Sequence, residues 1–193
     1  MNIFTLIIGA VLVNNFLLVR FLGICPFLGV SKKTHTAIGM GAAVTAVMGL
    51  SSIFTFALHK FVLIPLGLEY LNTIAFILVI ACLVQIVEIV MKKFSPSLYN
   101  AMGVYMPLIT TNCAVLGIAV INVVPNADYT LFTAFLNGIF SGVGFTLAIV
   151  LLSGIREKLN GLDIPESFKG FPITLVAASI MAMAFSVFSK LII

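Results

Sequence analysis

Cys25-Pro26-Phe27-Leu28-Gly29-Val30 and Cys113-Ala114-Val115-Leu116-Gly117-Ile118 share one frame: a cysteine, two further residues, then Leu-Gly and a β-branched residue. The two stretches lie in opposite halves of a 193-residue chain that is 62% hydrophobic and only 8% charged. Soluble domains carry roughly 25% charged residues, so this composition belongs in a bilayer. A thiol repeated in matching apolar surroundings suggests a shared metal site. Two thiolates are too few to enclose an iron–sulfur cluster, for which four cysteines are usual, so such a chain needs a partner.

Working outward from these stretches, the charge-free runs mark where the chain crosses. A helix needs about 20 apolar residues to span the hydrocarbon core. Residues 1–19, 36–58 and 70–87 give three spans, and residues 94–127, 129–155 and 170–189 give three more. The expected fold is an all-α integral membrane domain of six transmembrane helices covering residues 1–193. The amino terminus has no Lys or Arg before its apolar run and no small-residue cleavage site, so it is read as a retained helix. The longest polar connection, residues 156–169, is too short to build a separate core.

Basic residues in short loops favour the cytoplasmic side. Arg20, Lys32 and Lys33 fall between spans one and two, Lys92 and Lys93 between three and four, and Arg156, Lys158 and Lys169 between five and six. The opposite side holds Lys60 and Lys190, so both termini are expected outside. The formal charge of +4 then describes orientation and contact with anionic lipid. No basic stripe with interleaved aromatics points to nucleic acid.

Division near Ser95-Pro96 leaves three spans in each half. An odd number of crossings makes the second half enter from the opposite face, so any repeat, approximately 1–95 and 96–193, is inverted. Inverted repeats commonly place their site near the midplane on interrupted helices. Polar residues interrupt both cysteine segments: Asn14 and Asn15 before Cys25, and Thr110-Thr111-Asn112 before Cys113. Asparagine in a span serves equally well as glue between helices. Gly39 and Gly41 loosely match Gly142 and Gly144, and Gly138 with Gly142 forms a GxxxG step that permits close helix approach.

Pro26 is suited to the first residue inside a helix, which would put Cys25 at a helix N-terminus, where N–H groups favour a ligating thiolate. Asn112 and Thr111 are placed to donate hydrogen bonds beside Cys113. A buried free cysteine is often simply a small apolar residue; the shared frame and polar neighbours separate Cys25 and Cys113 from that class, whereas Cys82 has neither and is assigned to packing. His35 and His59 are interfacial. Glu88 stands four residues before Lys92, a spacing for an ordinary helical pair, with assistance to a passing cation as the alternative. The six acids and two histidines assemble no catalytic set, and no Gly-rich phosphate loop is present. Electron passage, ion passage or both remain.

Leu12-Val13-Asn14-Asn15-Phe16, the run Phe21-Leu22-Gly23-Ile24-Cys25-Pro26-Phe27-Leu28-Gly29-Val30-Ser31-Lys32-Lys33, and Pro107-Leu108-Ile109-Thr110-Thr111-Asn112-Cys113-Ala114-Val115-Leu116-Gly117 resemble the RnfA/NqrE family, and the resemblance runs the whole chain. It implies a six-span component of a bacterial or archaeal cytoplasmic (inner) membrane complex, paired with a homologous RnfE-like or NqrD-like subunit in opposite orientation. It implies a place in the Rnf complex, a translocase that moves electrons between reduced ferredoxin and NAD and couples them to Na⁺ or H⁺ transport. Among its other subunits, RnfB, RnfC, RnfD and RnfG, are carriers of flavins and further clusters. In the family, two cysteines from each paired subunit hold a 2Fe–2S cluster within the membrane; the matching positions are Cys25 and Cys113. The nearest alternative is the equivalent subunit of a Na⁺-pumping NADH:quinone reductase. A metal-free inverted-repeat transporter or channel is the alternative of a different class.

Overall fold

A computed structural model describes residues 7–13, 15–31, 33–94, 106–124, 130–159, 161, 165 and 168–191. The described residues are mostly helical, with no strand among them. Helices satisfy every backbone N–H and C=O within one segment, the condition for crossing hydrocarbon. After a π-helical turn at Gly9–Val13 come α1 (Ile24–Val30), α2 (Thr34–Leu58), α3 (Asn72–Phe94), α4 (Met106–Thr110), α5 (Cys113–Ile121), α6 (Leu131–Leu159) and α7 (Phe171–Leu191). Helix α2 continues through a π-helical turn, His59–Leu63, into Ile64–Leu66.

Three of these helices are long and apolar enough to cross a membrane: Thr34–Leu66, Asn72–Val90 and Leu131–Leu159. They overlap the spans expected at 36–58, 70–87 and 129–155. Pro107–Ile121 and Phe171–Val187 are shorter apolar helices within the stretches expected at 94–127 and 170–189. The expected first span falls partly outside the described residues.

Helices α2 and α6 form the most extensive contact. Glycines let their backbones meet. A Cβ on Gly142 would lie 2.7 Å from Thr45 Cα, and one on Gly138 would lie 2.8 Å from the Met48 carbonyl oxygen. The GxxxG step is thus the α6 side of this crossing. The hydroxyls trapped there bond mostly to their own helix, Thr45 to the Gly41 carbonyl at 2.7 Å and Ser52 to that of Met48 at 2.8 Å, which spares them an unsatisfied burial. Thr45 and Thr146 hydroxyls also meet across the crossing at 3.2 Å. Around this pair the core gathers Val44 and Met48 from α2, Phe76 and Val84 from α3, Val115 and Ile118 from α5, and Phe145 and Ile149 from α6, all buried.

The end of α6 anchors the cysteine region. Arg156 Nη1 donates to the Leu28 carbonyl at 2.9 Å and to Ser31 Oγ at 2.8 Å, closing the C-terminus of α1. Glu157 accepts from the Thr34 backbone N–H at 2.9 Å, and Ser153 Oγ lies 3.2 Å from Thr34 Oγ1, so the start of α2 is tied to the same turn. Arg156→Leu would leave the Leu28 carbonyl and Ser31 hydroxyl without this donor. The expected loss is about 1–3 kcal/mol, read as a lowered melting temperature of the purified complex, with Lys158→Leu on the neighbouring exposed surface as the silent control.

Candidate cysteine site

The approach to Cys25 is a tight bend built on one asparagine. Asn15 is fully buried. Its Oδ1 accepts from the N–H groups of Leu17 and Leu18 at 3.1 and 3.3 Å, and its Nδ2 donates to the carbonyls of Val11 and Gly144 at 3.1 and 2.9 Å. Gly144 is where the N-terminal segment rests on α6, since a Cβ there would lie 3.1 Å from Val11 Cα. Asn15 therefore acts as a structural joint; Asn14 lies outside the described residues. The Leu22 N–H closes the bend on the Phe16 carbonyl at 2.9 Å. Phe21 then takes φ 56° and Gly23 φ 86°. A non-glycine residue held there costs on the order of 1–3 kcal/mol, so the bend is imposed by its surroundings. Arg20 is exposed, its guanidinium 6.0 Å from the centre of the Phe16 ring, at the outer limit for a cation–π contact.

Gly23 caps α1 in the left-handed conformation. Helix α1 begins at Ile24, so Cys25 is its second residue and Pro26 its third, two positions deeper than the proline rule placed them. The glycine, which alone adopts φ 86° without strain, starts the helix before the proline is reached. Cys25 is exposed on this first turn.

The approach to Cys113 has a different construction. Helix α4 ends at Thr110, and Thr111 Oγ1 donates back to the Pro107 carbonyl at 2.8 Å. Asn112 then takes an extended conformation and caps α5, its Oδ1 accepting from the Ala114 N–H at 3.0 Å. An asparagine N-cap is worth about 1 kcal/mol to its helix. Cys113 is the first residue of α5 and half-buried.

The two segments meet. The Gly23 N–H donates to Cys113 Sγ at 3.2 Å, across 90 residues of sequence. A Cβ on Gly23 would stand 2.9 Å from the Phe145 ring, 3.1 Å from Asn112 Oδ1 and 3.2 Å from Ala114 Cβ, and one on Gly117 would stand 2.7 Å from Leu22 Cδ1. The bend before α1 is therefore packed directly on the start of α5. The sulfur contact comes from Gly23; the Thr111 hydroxyl turns back to Pro107 and the Asn112 oxygen serves Ala114. Gly23 stands in the sequence immediately before Ile24-Cys25-Pro26, and a glycine at that place is the available signal.

Gly23→Ala is expected to strain the left-handed position by roughly 1–2 kcal/mol and to push against Phe145. Thermal denaturation of the purified complex should show the loss, and Gly67→Ala, strained at φ 64° but with nothing within 4 Å of its Cβ, separates the conformational part from the crowding.

Among the described residues, no group of three or more His, Cys, Asp or Glu could hold a metal ion. His35 and His59 stand at opposite ends of α2. Cys82 is exposed in the middle of α3, among apolar neighbours. Next to Cys25, Phe21, Ile24 and Leu28 face Leu175 and Ala182 of α7 across an apolar cleft of about 180 Å³. At the meeting point the Cys113 thiol receives the Gly23 N–H, and the exposed Cys25 thiol follows Gly23 by two residues. These are suitable ligands and second neighbours for half of an iron–sulfur cage.

Fold and site together define a helical membrane protein that brings two cysteine-bearing helix starts to one place. The chain belongs to the Rnf-Nqr family, described as "Rnf-Nqr subunit, membrane protein", which residues 3–192 match. It is 57% identical over 189 residues to the A component of the Na(+)-translocating ferredoxin:NAD(+) oxidoreductase complex of Acetobacterium woodii, covering 98% of this chain and 97% of that one. It is 53% identical over 191 residues to the A component of the ion-translocating oxidoreductase complex of Syntrophotalea carbinolica, covering 99% and 98% of the two chains. The protein of the same name from Edwardsiella ictaluri is 51% identical over 187 residues, covering 97% and 96%.

Proposed function

We propose that this chain is the RnfA-type component of an ion-translocating ferredoxin:NAD⁺ oxidoreductase, and that Cys25 and Cys113 supply half the ligands of a 2Fe–2S cluster inside the membrane. The observation that carries the reading is the 3.2 Å hydrogen bond from the Gly23 N–H to Cys113 Sγ, which ties the segment leading into Cys25 to the other thiol. The names of the full-length relatives support the choice of complex.

In this reading residues 1–193 form one domain of six spans, as two inverted three-span halves divided near Ser95-Pro96. The bend at Asn15–Gly23 and the cap at Asn112 are the interruptions that carry the cysteines. A homologous RnfE-like subunit in opposite orientation supplies the other two thiols, and RnfB, RnfC, RnfD and RnfG complete the complex. Loop charges orient both termini to the outside of a cytoplasmic (inner) membrane.

When bound, such a cluster supplies a one-electron relay within a hydrocarbon core about 30 Å thick. The chain's own residues do the rest. Cys25 and Cys113 hold iron from the starts of α1 and α5. The Gly23 N–H offsets negative charge at the Cys113 sulfur. Asn15 and Asn112 fix the two bends that set the thiols, and the buried Phe145 packs against Gly23 between them. Ion movement, of Na⁺ or H⁺, is coupled elsewhere in the assembly or through it.

The test is anaerobic purification of the whole complex with this chain and its paired subunit. Iron and acid-labile sulfide in excess of the soluble cluster-bearing subunits, with a reduced 2Fe–2S electron paramagnetic resonance signal, is the expected result. Loss of the signal on Cys113→Ser assigns it to this site. A complete, electron-transferring complex with no cluster assigned to these thiols would overturn the proposal.

A further inference from the structure

The start of α5 contains a donor with nothing to bond. Asn112 is 3% exposed, and its side-chain oxygen is committed to the Ala114 N–H at 3.0 Å. Its Nδ2 is buried without a hydrogen-bond partner. A buried amide N–H left unmade costs its full desolvation, and native structures leave few such groups without a reason. The capping role alone is met by the oxygen and would be met as well by serine. The amide half of the side chain is therefore in excess of what the helix needs, and it sits at the residue adjoining Cys113.

The Cys113 sulfur next to it already receives one donor, the Gly23 N–H at 3.2 Å. Its position is fixed by crowding, because a Cβ on Gly23 would lie 3.1 Å from Asn112 Oδ1. Gly23 is thus packed against the Asn112 side chain while its N–H reaches the sulfur of the next residue.

We propose that Asn112, together with the Gly23 N–H, forms a two-donor seat that sets the reduction potential of the cluster half held by this chain. The inference rests on the cluster reading above and assigns a residue role beyond it. Hydrogen bonds to cluster sulfurs stabilise the more negative, reduced state and raise the potential. Asn112 is here a positioning and tuning residue that need not ligate iron. Asn122 and Asn137 differ in kind: Asn137 Nδ2 donates to Asn122 Oδ1 at 2.8 Å, so that pair is already satisfied.

The experiment uses the intact complex. A wild-type complex lacking the 2Fe–2S signal would defeat the cluster assignment itself. With the signal present, Asn112→Ser keeps an N-cap acceptor and removes the carboxamide donor. The variant is expected to retain iron and sulfide content while its reduction equilibrium shifts about tenfold toward the oxidised form, about 59 mV for a one-electron couple, with loss of one exchangeable-proton coupling in pulsed electron–nuclear double resonance. Unchanged potential and couplings in a fully loaded Asn112→Ser complex would overturn the proposal. Should that variant fail to assemble, wild-type complex with ¹⁵N-labelled asparagine side chains decides: a ¹⁵N coupling to the reduced cluster supports the seat, and its absence overturns it.

Discussion

Cys113→Ser is expected to reduce the membrane 2Fe–2S resonance from a full complement to background, and to stop electron transfer between ferredoxin and NAD⁺ through the complex. The same result is expected for Cys25→Ser. A serine hydroxyl is a harder, more basic donor than a thiolate, and iron–sulfur clusters are held by thiolates. Loss of one ligand from a four-ligand cage removes the relay, and no group of three or more metal-binding side chains exists among the described residues to replace it. Cys82→Ser is the matched control. That thiol is exposed in the middle of α3, and its substitution should leave signal and turnover unchanged. Quantitative paramagnetic resonance on reduced membranes, alongside ferredoxin-dependent NAD⁺ reduction, checks all three. Serine variants that differ from Cys82→Ser in neither readout would remove both cysteines from the electron path.

Gly142→Leu is expected to have the second largest effect, through packing alone. The first added carbon would lie 2.7 Å from the Cα of Thr45, a backbone atom that cannot turn aside as a side chain can. Helices α2 and α6 must separate, breaking the Thr45–Thr146 hydroxyl contact at 3.2 Å. In lipid no hydrophobic force opposes the separation, because the surrounding chains are as apolar as the helices. Overpacking of this kind costs about 1–3 kcal/mol or more, and the upper end is expected here. The damage reaches the cysteines, since Asn15 is bonded to the Gly144 carbonyl and Gly23 lies against Phe145. Gly154→Leu, at a glycine whose Cβ would meet nothing within 4 Å, should be tolerated. Immunoblots of the assembled complex in membranes should show strong depletion for Gly142→Leu and near wild-type amounts for Gly154→Leu.

Both sites bear on what the sequence discloses. The charge-free runs of α2, α3 and α6 are plain, because crossing hydrocarbon demands uninterrupted apolar helix and little else. The repeated frame and the asparagines beside it single out the two cysteine segments, which the structure brings into contact through Gly23 and Cys113. The GxxxG step announces a close approach but not its partner, since Thr45 and Met48 bear no mark of the surface they meet. The sulfur's donor is hidden for a related reason. Gly23 reaches Cys113 across 90 residues, and a glycine before a cysteine reads equally as a turn. Arg156 reads as a loop charge that orients the chain; its bonds to Leu28 and Ser31, 128 and 125 residues away, depend on how α1 folds back on α6. The start of α1 differs from expectation by two residues because proline signals permission to begin a helix, whereas the left-handed glycine sets where it begins.

Asn112 shows how one residue can satisfy two readings. As a cap it explains the start of α5, and the polar cluster Thr110-Thr111-Asn112 is visible in the sequence. Only the structure separates its occupied oxygen from its unoccupied nitrogen, and that separation leaves a buried donor next to Cys113 that the cap does not use.

The most direct test of the central claim is an electron cryo-microscopy map of the anaerobically prepared complex at a resolution that places sulfur atoms. One compact density within the bilayer is predicted, joined to Cys25 and Cys113 of this chain and to two thiols of an oppositely oriented partner. Cys25 and Cys113 lying apart, or together with protein alone between them in a complex that transfers electrons, would contradict it.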